Sequence, residues 1–130
     1  MGHKYLEELE TYAGPNWGLK EDEREEKWLE EERTYGFNST ETWDLDSAFY
    51  LWLYERLRMY MDVASEIVNL HYHTFIFKGH KFYQDELIQM MIERLQFYFS
   101  EEYNEYDADD FAYVKEIGEI WAVVLPAMWW

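Results

Sequence analysis

The chain has 130 residues, 48 % of them apolar and 21 % aromatic, with 28 acidic and 11 basic side chains for a net charge of −17. That length builds one domain around a single hydrophobic core, and so many aromatic residues exclude a disordered acidic polymer. The charge opposes direct contact with nucleic acid or an anionic membrane, and the absence of cysteine excludes a disulfide framework or a thiolate metal site.

No apolar run approaches the roughly 20 residues that cross a bilayer, and the opening MGHKYLEELE is unlike a secretory signal. A soluble cytoplasmic protein is therefore expected. Tyr5 to Tyr12 reads as a short helix, with Tyr5, Leu6, Leu9 and Tyr12 at helical spacing, broken by the turn-forming AGPNWG at 13–18. From Lys20 to Tyr35 the composition favours a second helix, and Gly36 is placed as its stop. Within it EDEREEKWLEEER, residues 21–33, carries eight carboxylates against three basic groups. Glu23, Lys27 and Glu31 stand at successive four-residue steps that support a helix. Only Trp28 and Leu29 interrupt the polar surface, so this segment reads as a solvated arm docked by two residues. Residues 1–35 thus form an acidic helical N-terminal arm, and 36–130 the helical core of the same domain.

From Leu45 onward, Ala48, Phe49, Trp52, Leu53, Leu57, Tyr60, Met61 and Ala64 follow helical spacing. Asp46 is placed to cap this helix. Tyr50, Leu51, Tyr54 and Met59 widen its apolar surface, which predicts a central helix contacted from several sides. FIFKGHKFY (75–83) then changes period: two short β-prone runs flank Lys78-Gly79, where glycine permits a tight hairpin turn. Asp85 and Glu86 open the next helix, whose buried stripe is Leu87, Met91, Leu95, Tyr98 and Phe99. After the polar NEYDAD (104–109), Phe111, Val114, Ile117, Trp121 and Leu125 predict a last amphipathic helix. Gly118 on that face would admit a close neighbouring backbone, and Pro126 would end the helix, leaving AMWW as an apolar tail. The expected fold is mainly α: a compact bundle of about three long and two shorter helices with a small inserted β-hairpin near 75–83.

The stretch GFNSTETWDLDSAFYLWLYERLRMY (36–60) resembles a group of small proteins encoded by tailed bacteriophages and prophages. The likeness lies in a glycine-containing turn, a Trp-x-Leu-Asp element and a helix ending in Arg-Leu before an aromatic. Here these are Trp43, Leu45, Asp46, Arg56, Leu57 and Tyr60. FKGHKFYQDELIQMMIERLQFYF (77–99) is similar to that group's turn leading into a helix. The acidic arm and the final helix fall outside the likeness. It implies a viral source and a bacterial host cell, and carries no mechanism. The motif has a structural reading: Trp43 and Leu45 pack under the helix start, Asp46 caps it, and Arg56 pairs with a nearby carboxylate.

Candidate chemistry is sparse. His71-x-His73 in an extended segment, with His80 across the hairpin, has the residue types of a zinc site that Asp85 or Glu86 would complete. It lacks the HExxH helix or a Cys/His framework, so hairpin and core histidines are the expected reading, with no metal. Asp107, Asp109 and Asp110 begin like a calcium loop, but Ala112 replaces its sixth-position glycine and Gly118 its twelfth-position glutamate. Helix capping is the expected role of this cluster. Ser39, Ser47, Ser65 and Ser100 stand in no nucleophile elbow, and there is no phosphate-binding glycine loop. No catalytic residue, no cofactor and no enzymatic activity are expected. Aromatic side chains stack bases only beside a basic groove, so here they belong to the core or to a protein interface.

A protein of this kind is expected to act by binding another, and its charge selects a basic partner. A host protein or ribonucleoprotein that grips nucleic acid presents a Lys/Arg groove already built for phosphates. On a helix of 1.5 Å rise, carboxylates four residues apart lie roughly 6 Å apart, similar to consecutive phosphates along a strand. Asp22, Glu26 and Glu30 make such a row, Glu21 and Glu25 a second, and Asp107, Asp109 and Asp110 complete the candidate partner-binding set. The expected function is a phage-encoded acidic inhibitor of a host nucleic-acid-binding defence complex, of anti-CRISPR or anti-restriction type. One alternative is a helical interaction module of the virion or replication machinery, with its interface among Trp52, Tyr54, Trp129 and Trp130; another is a metal-dependent enzyme using the histidine hairpin. A homodimer is compatible with the sequence.

Overall fold

Where the apolar spacing is most regular the chain is helical: α2 spans Leu45–Val63, α3 Gln84–Tyr98 and α4 Ala108–Val124. The computed structural model describes residues 2–12 and 24–129. Among them a shorter helix, α1 (Glu25–Tyr35), precedes these three. Strands β1 (Thr74–Phe77) and β2 (His80–Tyr83) form an antiparallel hairpin between α2 and α3. The fold is mainly α with one small hairpin. The turn predicted at 13–18 and the start of the acidic helix before Arg24 lie outside the described residues.

Local chemistry places the element ends. Gly36 closes α1 at φ 86°, and its N–H donates to the Glu32 carbonyl at 2.9 Å. Lys78 and Gly79 both take positive φ, 50° and 79°, which matches the twist of a two-residue hairpin turn. The Tyr83 amide donates to the Glu86 carboxylate at 2.8 Å as α3 begins. Asp107 caps α4 by accepting from the Asp109 and Asp110 amides at 2.9 and 3.0 Å.

The core is built by Leu53, Tyr54 and Leu57 of α2, by Leu87, Ile88, Met91 and Leu95 of α3, and by Ile117, Ile120 and Val124 of α4, none more than 1 % exposed. The Tyr54 hydroxyl donates to Glu8 at 2.7 Å and accepts from Gln96 at 3.2 Å, so its polar tip is satisfied inside. The helix at the centre is α3, which packs on both α2 and α4. This corrects the expectation for the helix from Leu45: Phe49, Trp52 and Met59 of α2 remain exposed.

Other expectations shift for identifiable reasons. The helix predicted over Tyr5–Tyr12 is a 3₁₀ stretch, Lys4–Glu8, because so short a segment has little helical stability of its own. α2 holds it, Arg58 donating to Glu8 at 2.9 Å and Tyr5 to Asp62 at 2.9 Å, while Leu6 and Leu9 enter the core. In α4 the covered stripe is Val114, Ile117, Ile120 and Val124, with Phe111 and Leu125 exposed. The stripe steps 117–120–124 where 117–121–125 is the equally helical alternative. Gly118 is exposed, with no atom within 4 Å of where a Cβ would stand, so no backbone approaches it. α4 ends before Pro126, as the sequence predicts. Trp129 in the tail is exposed, and Trp130 lies outside the described residues.

Candidate acidic interface

α1 is attached by one buried side chain, Trp28; Leu29, the second docking residue predicted, is exposed. Trp28 meets the edge of Trp43 at 5.7 Å between ring centres, and the Arg24 guanidinium lies 5.1 and 5.0 Å from the two rings. Glu31 accepts from the Ser39 hydroxyl at 2.9 Å and Glu32 from the Asn38 amide at 2.7 Å. Trp43 therefore serves the arm and does not pack under α2, and Leu45 is exposed as well. Trp28 and Trp43 form a small cluster apart from the main core.

On α1, Glu25 and Glu26 are exposed and bonded to no described residue. Glu30 accepts from Arg33 at 3.0 Å, an exposed pair of small energetic consequence. Glu21 and Asp22 lie outside the described residues. Of the two predicted carboxylate rows, Glu25, Glu26 and Glu30 are thus placed on the described helix.

From the docking segment the chain enters the first turn of α2, where a second group of acids gathers. Asp46 lies within that turn, after Asp44 and Leu45, and so does not cap it from outside; its carboxylate accepts from the Tyr98 hydroxyl at 2.7 Å. Ser47 meets the same hydroxyl at 2.9 Å. The two neighbouring carboxyls influence each other: Asp46 holds Asp44 above the usual carboxylate range, with burial adding to the shift, and Asp44 holds Asp46 below it, with Tyr98 helping. Burial pushes the Tyr98 phenol well above its ordinary value, and the neighbouring Asp46 adds to that. Tyr103 is raised by burial and then by the charges of Glu105, Asp46 and Asp110. Residues some sixty positions apart in sequence thus share one local field.

The 107–110 cluster divides its labour. Asp107 is occupied by capping, and Asp110 accepts from the Asn104 amide at 3.0 Å. Asp109 is exposed without a side-chain partner, as are Glu101, Glu102 and Glu105 on the turn between α3 and α4. Asp44, Asp46 and Glu105 are the site residues that sequence reasoning missed. Their signals, WDLD and NEYDAD, are visible, but nothing local says that the two segments meet.

Among the described residues the arginines and Lys78 are engaged within the chain, whereas Lys4, Lys27, Lys81 and Lys115 are exposed without a partner. Arg58 pairs with Glu8 and Asp62 at 2.9 and 3.3 Å, Lys78 with Glu116 at 3.0 Å, and Arg94 with Glu116 at 3.4 Å. Arg56 lies 4.5 Å over the Trp52 ring and donates to the Trp52 carbonyl at 3.2 Å, in place of the carboxylate partner predicted for it. His71 is engaged by Asp85 at 3.0 Å and stacks on Tyr83 at 3.7 Å. Among the described residues no group of three or more potential ligands is assembled that could hold a metal ion, and no helix is long and apolar enough to cross a membrane. No protein-family model, curated protein or solved structure matches the chain.

Proposed function

We propose that this protein is an acidic, phage-encoded inhibitor that occupies the basic nucleic-acid-binding groove of a host defence complex, of the anti-CRISPR or anti-restriction kind, inside the bacterial cell. The observation that carries this reading is the division of charge. Glu25, Glu26, Glu101, Glu102, Glu105 and Asp109 face solvent unpaired, while of the described basic side chains Arg33, Arg58, Lys78 and Arg94 are paired within the chain and Lys4, Lys27, Lys81 and Lys115 are free, so the exposed surface keeps an excess of negative charge. Such a surface offers a basic groove charges in the place of phosphates, and stoichiometric binding needs neither catalytic residues nor a cofactor. Docking of α1 through Trp28 and Trp43 places the arm next to the segment that leads to Asp44 and Asp46, so the two acidic regions are contiguous along the chain of contacts.

The test starts with capture from nuclease-treated host lysate at low salt, the captured complex then being purified. Binding is expected to weaken steeply as salt rises from about 0.05 to 0.5 M, and the complex's own nucleic acid is expected to displace the protein. Glu25→Gln with Glu26→Gln on the arm, combined with Glu105→Gln and Asp109→Asn on the turn, is expected to weaken binding at least about tenfold, about 1.4 kcal/mol, with a shallower salt dependence. Undiminished binding by the fourfold variant, with nucleic acid bound alongside, would refute groove occupation.

A further inference from the structure

α2 has two apolar faces, and the described residues cover one of them. Leu53, Tyr54 and Leu57 enter the core, whereas Leu45, Phe49, Trp52, Met59 and Val63 stay 63, 39, 46, 55 and 36 % exposed. Together with Arg56 these positions advance by alternating steps of four and three residues, the spacing of a two-stranded coiled-coil seam. The side chains are ordered along it: Phe49 and Trp52 stack at 6.1 Å with 16° between their planes, and Arg56 covers Trp52. Isolated exposed apolar residues are ordinary, but a continuous stripe marks an interaction surface.

We propose that this stripe is a homodimer seam, on which α2 of a second copy lies antiparallel, with the two-fold axis beside Tyr54. In that register Leu45 faces the second copy's Val63, Phe49 faces Met59, and Trp52 faces Arg56. Each guanidinium then meets an indole of the other copy, a favourable cation–π contact. A parallel seam would set Arg56 against Arg56.

Area admits a second copy, and net charge opposes it. For large side chains of roughly 150–250 Å², those exposures leave about 500 Å² of accessible stripe on each copy, an upper bound of about 1,000 Å² between two, which is the size of a weak dimer. Of the carboxylates along the seam, Asp46 accepts from Tyr98, Glu55 lies 3.2 Å from His3 and Asp62 is held by Tyr5 and Arg58, whereas Glu66 beyond Val63 is exposed without a partner. Only Asp62 is met there by a fixed positive charge, Arg58, and the net −17 of each copy opposes association. The dimer therefore tightens as salt rises, opposite to groove occupation, and the proposal does not rest on the acidic reading.

The experiment is analytical ultracentrifugation of the full chain from about 1 to 100 µM, in low and in high salt. A dimer whose dissociation constant falls with salt is expected. Trp52→Glu and, independently, Met59→Glu are expected to raise that constant at least about tenfold, with an unchanged far-UV circular dichroism spectrum. Because the chain has no cysteine, Leu45→Cys and Val63→Cys report the register: oxidation is expected to cross-link them when mixed, and neither alone. A monomer at 100 µM would overturn the proposal, leaving the stripe to a different protein. So would a dimer indifferent to both glutamates, or self-linkage of either single-cysteine variant.

Discussion

Helices α1 and α3 are both rich in helix-favouring side chains, yet opposite forces hold them in place. α3 buries Leu87, Ile88, Met91 and Leu95 completely between two other helices, so tertiary packing stabilises it. α1 buries Trp28 alone, outside the main core, and depends on its own composition, the Gly36 stop and a few bonds to residues 38–43. The difference teaches where charge can be concentrated: an element that contributes little to the core can carry a dense run of carboxylates without weakening it. Between the two regions stands the junction of Asp46 and Tyr98, which ties the start of α2 to the end of α3.

The largest effect is expected from the packed side of this comparison. Leu95→Ala should lower global stability by about 2–5 kcal/mol, the range for a fully buried leucine whose site cannot collapse. Chemical denaturation measures it, and a loss under about 1 kcal/mol would mean that α3 is no more essential than α1.

The junction should give an intermediate effect with a pH signature. Tyr98→Phe removes the donor to Asp46 and should cost about 1 kcal/mol at neutral pH, as for a typical hydrogen bond. Because the folded-state phenol is raised, its stabilising contribution is fully present below the ordinary tyrosine value near pH 10 and is lost as pH rises through the folded value. Wild-type stability should therefore fall above about pH 10 more steeply than that of the Phe variant. Parallel curves in alkaline denaturation would remove Tyr98 from this role.

The smallest global effect is expected from the arm. Trp28→Ala should lower global stability less than Leu95→Ala does, because Trp28 packs on Trp43 outside the main core, while backbone amides of α1 lose most of their protection against hydrogen exchange. A global loss comparable to that of Leu95→Ala would abolish the distinction between arm and core.

Much of this architecture is legible in the chain itself. Apolar spacing at 53–64, 87–95 and 114–124, the Lys78-Gly79 turn, the Gly36 stop and the Asp107 cap are local signals, because helix period, positive φ and amide capping involve neighbours within a few residues. So is the excess of negative charge, which is a property of composition. The tertiary structure alone decides which of two apolar faces is covered: the same periodicity serves a core stripe and a surface stripe, and α2 displays both. It also decides that α3 is central, that Asp46 meets Tyr98, and that Arg56 lies on the Trp52 indole. Each of these depends on through-space neighbours drawn from distant segments. Burial and pairing are relations between elements, and a sequence pattern describes one element at a time.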